Sequence, residues 1–208
     1  MGKYIERFNA KERVLHWFVA ASFFTLLLSG LGLYSRLFHG YFDLFGGGAG
    51  AILVHKVAGI VFFASSLLLF FNHLKEMNFF DEDDRAWFRK LGGYLDRDPS
   101  HINSGKFNAG QKAFGLFMGM ATILLGVTGL INWYPLSFPV GIVRLSLLLH
   151  GLLFVLFVMI VVVHAYLTTI GNPGTLESMI YGNVRKIWAR KHHPKWYEEA
   201  TGPAKTAE

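Results

Sequence analysis

Four long apolar blocks set the pattern of this chain, at residues 14–34, 52–71, 114–133 and 143–170, with polar or glycine-rich segments between them. A helix needs roughly 20 apolar residues to cross a hydrocarbon layer about 30 Å thick, and each block is near or above that length. Strand alternation is weak and a membrane barrel needs many more segments, so the pattern predicts an all-α, transmembrane four-helix bundle. Spans are expected at about 14–35, 52–75, 111–134 and 143–170, within a single domain covering 1–208. The first block is too long for a signal-peptide core and lacks a clear small-x-small cleavage site, which favours a retained first helix. Gly171-Asn172-Pro173-Gly174 stops the fourth block. Beyond it, Leu176, Ile180, Val184 and Ile187 recur at helical spacing beside Arg185, Lys186, Arg190 and Lys191. An amphipathic C-terminal helix on an anionic cytoplasmic leaflet is expected there.

Charge supplies the orientation. With four spans, both termini and the middle loop share one side. That side receives the basic residues from Lys3 and Arg7 through Arg97 to Lys205, while only Arg36, Lys56 and Arg144 fall on the other. The positive-inside rule then puts both termini in the cytoplasm, as expected of a multi-pass protein of a bacterial inner membrane. The net charge of +6 therefore reports orientation and lipid contact, and no nucleic-acid partner is expected. The run Asp81-Glu82-Asp83-Asp84 reads as a solvated face, and Gly46-Gly47-Gly48-Ala49-Gly50 as a turn, because no strand precedes it to make a phosphate cradle.

Histidines carry the chemistry. The chain has no cysteine, which removes disulfides, zinc ribbons and thiolate-held iron-sulfur clusters. His150 and His164 are fourteen residues apart in the fourth block, close to four helical turns and about 21 Å of rise, so they leave one face at two depths. Ionisable groups inside a span are costly and are functional candidates by default. Helix direction then matches depths: His55 of the second block with His150 near the outside, and His16 of the first with His164 near the inside. His73 rivals His16, but its eighteen-residue step from His55 rises about 27 Å and leaves it roughly one turn out of level. Two histidines from opposite sides suit a six-coordinate haem, whereas zinc wants three or four converging ligands; copper stays possible without a thiolate. Arg13, Lys56 and Arg144 are candidate propionate partners, although such residues often only snorkel. Gly115, Gly119, Gly126 and Gly129 in the third block fit either close helix packing or room for a flat macrocycle.

Several segments are more specific than the histidines: Arg13-Val14-Leu15-His16-Trp17, Lys106-Phe107-Asn108-Ala109-Gly110-Gln111-Lys112, Val143-Arg144-Leu145-Ser146-Leu147-Leu148-Leu149-His150, and Trp188-Ala189-Arg190-Lys191-His192-His193-Pro194-Lys195-Trp196-Tyr197. On these, over nearly its whole length, the chain resembles the gamma subunit of membrane-bound formate dehydrogenases, a dihaem cytochrome b. The resemblance implies two haem b groups, the outer on His55 and His150 and the inner on His16 and His164. It also implies a menaquinone (or other quinone) site by the inner haem at Asn108, Gly110, Gln111 and His164. The expected partners are an iron-sulfur beta subunit outside, a molybdenum or tungsten alpha subunit that oxidises formate, and membrane lipid, in a higher oligomer of the complex. Electrons would pass from the iron-sulfur subunit through both haems to quinone reduced at the cytoplasmic side. The alternatives are the cytochrome b subunit of a nickel-iron hydrogenase or another oxidoreductase, a free-standing dihaem cytochrome b such as a superoxide oxidase, and a cofactor-free bundle.

Overall fold

The protein is described from a computed structural model, over residues 2–90, 92 and 103–202. Arg97 and Lys205 of the basic side lie outside the described residues. Among the described residues, four helices are long and apolar enough to cross a membrane, at Ala10–Tyr34, Gly48–Met77, Ala109–Trp133 and Val140–Gly171. They are α1 (Ala10–Tyr34), α2 (Gly48–Met77), α4 (Ala109–Trp133) and α5 (Val140–Tyr166), the last running into a π-turn at Leu167–Gly171. The all-α, four-span class expected from the pattern is the class observed. Only 11–22% of the residues in each apolar window are fully buried by protein, and exposed large hydrophobics such as Phe24, Leu53, Leu124 and Val162 are left for lipid or other apolar partners.

The chain divides into two compact units. One comprises residues 11–70 and 118–167, hence most of the long helices. Its core centres on Phe157 of α5, 2% exposed, which stacks on Phe23 of α1 at 5.5 Å and meets Phe62 of α2 edge-on at 5.6 Å. Between α1 and α2 a short 3₁₀ helix, Arg36–Phe45, ends at Gly46 and Gly47, both at positive φ, so these two glycines make the turn and Gly48 to Gly50 open α2. The glycines of α4 also resolve: a side chain at Gly126 would strike the Phe63 ring and one at Gly119 the Phe70 ring. Close packing against α2 therefore accounts for these two, while Gly129 faces the ring of His150.

The other unit comprises residues 1–10, 71–117 and 168–208. Here the tail departs from the single amphipathic helix expected. It folds as α6 (Thr175–Ile180), β2 (Asn183–Arg185), α7 (Lys186–His192) and α8 (Pro194–Thr201). Gly182 adopts φ 83° and breaks the helix. Strand β2 then pairs antiparallel with β1 (Tyr4–Glu6), Ile5 opposite Val184. Val184 is thereby fully buried with Ala189 and Trp196, while Ile187 stays 77% exposed. The acidic run also differs from a solvated face. Asp81 and Asp84 form a reciprocal capping box on α3 (Glu82–Arg89). Asp84 pairs with Lys112 at 2.5 Å, and Asp81 with Lys195 at 2.6 Å. The Lys195 hydrogen bond holds the Asp81 carboxyl down to about 2 against a smaller opposing effect of burial.

Candidate functional site

In the first unit the four expected histidines come together as two pairs. His16 of α1 and His164 of α5 face one another with ring centroids 6.4 Å apart and planes inclined at 49°. His55 of α2 and His150 of α5 form the second pair, close enough to interact electrostatically. A metal bound about 2 Å from one nitrogen of each ring would separate two imidazole centroids by roughly 6 Å, so the His16–His164 spacing suits a metal between them. Among the described residues no group of three or more His, Asp or Glu is arranged to hold a metal ion.

The second pair is anchored in a way the sequence reading missed. His55 Nδ1 lies 2.9 Å from Ser29 Oγ, and that hydroxyl donates its proton to the Thr25 carbonyl at 2.7 Å. His150 Nδ1 lies 2.8 Å from Thr128 Oγ1, whose proton goes to the Leu124 carbonyl at 2.7 Å. A hydroxyl has one proton. Having given it to a carbonyl, each hydroxyl accepts from the imidazole, which assigns Nδ1–H to both rings and leaves the Nε2 lone pair free of that bond. His16 differs, because its buried Nδ1 has no hydrogen-bond partner. A hydroxyl residue followed by glycine, Ser29-Gly30 and Thr128-Gly129, was the available signal.

The candidate propionate partners divide. The Lys56 ammonium sits over the Trp133 ring at 4.9 Å, a cation–π contact, Arg13 is partly buried and Arg144 is exposed.

In the second unit the amide segment forms another reciprocal cap. Gln111 N–H donates to Asn108 Oδ1 at 2.9 Å, and Asn108 N–H donates to Gln111 Oε1 at 3.0 Å. Gly110 lies under the Trp87 indole, where a side chain would not fit. His73, the rival ligand, is buried in this unit with Nδ1 2.9 Å from Glu76 Oε2 and its ring against Phe8 and Phe107. His193 uses both nitrogens: Nδ1 donates to the Gly105 carbonyl at 2.7 Å, and Nε2 accepts from Arg7 Nη2 at 3.0 Å. Burial, then the Arg7 charge, hold His193 well below the usual histidine range. Burial also lowers Arg7, to about 9, which leaves it charged at neutral pH over the rings of Trp188 and Trp196.

Paired histidines on long apolar helices are the geometry against which known proteins can be compared, and residues 7–182 match the family described as prokaryotic cytochrome b561. The chain belongs to that family. Within the prokaryotic cytochrome b561 proteins it is similar to the formate dehydrogenase cytochrome b556(fdo) subunit of Escherichia coli K12, 32% identical over 94% of this chain and 92% of the relative. The nitrate-inducible formate dehydrogenase cytochrome b556(Fdn) subunit of the same strain is 33% identical over 95% of this chain and 92% of its own length. The formate dehydrogenase cytochrome b556 subunit of Haemophilus influenzae is 29% identical over 94% and 83%. Membership of a cytochrome b family agrees with a haem-type use of histidine and with membrane-spanning helices.

Proposed function

We propose that this chain is the dihaem cytochrome b subunit of a respiratory formate dehydrogenase in a bacterial inner membrane, with both termini cytoplasmic. It takes electrons from an iron-sulfur subunit on the outer side and delivers them to menaquinone on the inner side, while a molybdenum or tungsten subunit oxidises formate. The observation that carries the reading is the pairing of His16 with His164 at 6.4 Å on two helices of one unit, in a chain similar over 94% of its length to formate dehydrogenase cytochromes.

Two imidazoles from different helices, with no thiolate, are a donor set that fits haem iron. His55 and His150 would hold the outer haem, and His16 and His164 the inner one. Each haem b, when bound, supplies a one-electron redox centre. His55 and His150 are held by hydroxyls at Nδ1, so each presents Nε2 as its ligand atom without reorienting. Arg13, Lys56 and Arg144 would neutralise propionates at the two surfaces.

Asn108, Gly110 and Gln111 would line the quinone site. Asn108 and Gln111 each use the carboxamide oxygen in the cap, which keeps the NH₂ group as the donor for a quinone carbonyl. Gly110 keeps the approach to that cap narrow by admitting the Trp87 ring.

The test is mild purification from the native membrane with identification of bound subunits and a redox titration. Two resolved b-type transitions and a formate-oxidising partner are expected. A nickel-iron partner, or a chain isolated with haem but no partner, would contradict the formate dehydrogenase assignment.

A further inference from the structure

The two helical hairpins of the long-helix unit repeat one small device. In α1–α2, Ser29 supports His55 and Gly30 follows it; in α4–α5, Thr128 supports His150 and Gly129 follows it. Both hydroxyl residues are buried, Ser29 at 0% and Thr128 at 6% exposure. Both hand their only proton to a carbonyl of their own helix, and so act toward the histidine as acceptors. Each glycine lies beside the Cε1 edge of the supported ring. A side-chain carbon at Gly30 would come 3.2 Å from His55 Cε1, and one at Gly129 would come 3.5 Å from His150 Cε1. Ser146 of α5 adds a further tie by donating to the Thr128 carbonyl at 2.9 Å. Helical hydroxyls often bond back to their own turn with no further consequence, but that habit does not place an imidazole nitrogen on the remaining lone pair at two sites.

We propose that Ser29 and Thr128 are positioning residues that fix His55 and His150 in the Nδ1–H tautomer, and that this pair of acceptors lowers the reduction potential of the haem those histidines hold. The inference rests on the haem assignment above. An acceptor on Nδ1–H makes an imidazole a stronger electron donor through Nε2, which stabilises the ferric over the ferrous state. Gly30 and Gly129 leave the ring edges room to take this orientation.

The experiment is a redox titration of the purified complex carrying Thr128→Val, Ser29→Ala or the control Thr128→Ser, with haem b counted per chain in each. Thr128→Val keeps the shape and deletes the hydroxyl acceptor, leaving in place the Leu125 carbonyl that also bonds the His150 ring. One of the two b transitions is expected to move to higher potential in Thr128→Val and in Ser29→Ala, the other to stay in place, and Thr128→Ser to match the unsubstituted protein. Loss of one haem in Thr128→Val with retention in Thr128→Ser supports the same role for the hydroxyl. Two haems retained with no transition moved, both transitions moved alike, or equal haem loss in Val and Ser variants would overturn the inference. An unsubstituted complex with fewer than two b haems would instead sink the haem assignment itself.

Discussion

His55 and His193 are both largely enclosed imidazoles with Nδ1 in a hydrogen bond, and they differ in what is left over. In the tail unit, His193 has a carbonyl on Nδ1 and a guanidinium on Nε2, so both nitrogens are committed to holding Gly105 and Arg7 in place. In the long-helix unit, His55 and His150 use Nδ1 on a hydroxyl, and the Nε2 lone pair is outside that bond. Burial alone does not mark a ligand. A ring nitrogen left outside the protein's own hydrogen bonds is what a metal needs, and His193 has none while His55 and His150 do.

The comparison is broken most forcefully by substituting one histidine from each side of it. His55→Ala is expected to remove one of two b haems while the tail stays folded, read by haem content and by protease resistance of residues 183–201. His193→Ala should do the reverse. Both haems remain, and the tail unit loses about 1–3 kcal/mol because Arg7 and the Gly105 carbonyl lose buried partners. Thermal unfolding with proteolysis of the tail measures it, and haem loss in His193→Ala would erase the distinction.

Acid sharpens the same contrast. The folded state holds His193 well below its ordinary value of 6.5, first by burial and then by the Arg7 charge. The unfolded tail therefore binds a proton, below pH about 6.5, that the folded tail refuses. Stability of this unit is full above that pH and falls as pH drops below it. Amide exchange in residues 183–201 should be faster at pH 5 than at pH 7.5, and slower exchange in acid would contradict the assignment. The smallest effect belongs to Lys195→Ala. Its contacts with Asp81 at 2.6 Å and Asp83 at 3.5 Å are half-exposed, so a loss of only about 0.2–1 kcal/mol is expected by denaturant titration.

Hydropathy made the four spans legible, since length and apolar content are properties of a segment by itself. The histidine pairs were legible for a related reason: fixed helical rise converts residue number into depth. What escaped notice depends on partners far away in sequence. Strand β2 pairs with residues near the opposite end of the chain, and the helical spacing of Leu176, Ile180 and Val184 concealed it until Gly182 turned the backbone. Asp81 and Asp84 looked like one charged run, but they face α3's first turn and two separate lysines. Ser29 and Thr128 looked like ordinary small residues of an apolar helix, because only the fold brings a histidine to their second lone pair.

The pairing itself is tested most directly by counting haem b per chain in double variants. Removing both histidines of one pair, His55→Ala with His150→Ala, should leave one haem, as should His16→Ala with His164→Ala. Crossing the pairs, His55→Ala with His164→Ala, should leave none. One haem retained in the crossed variant, or none in a same-pair variant whose tail remains folded, would contradict the account.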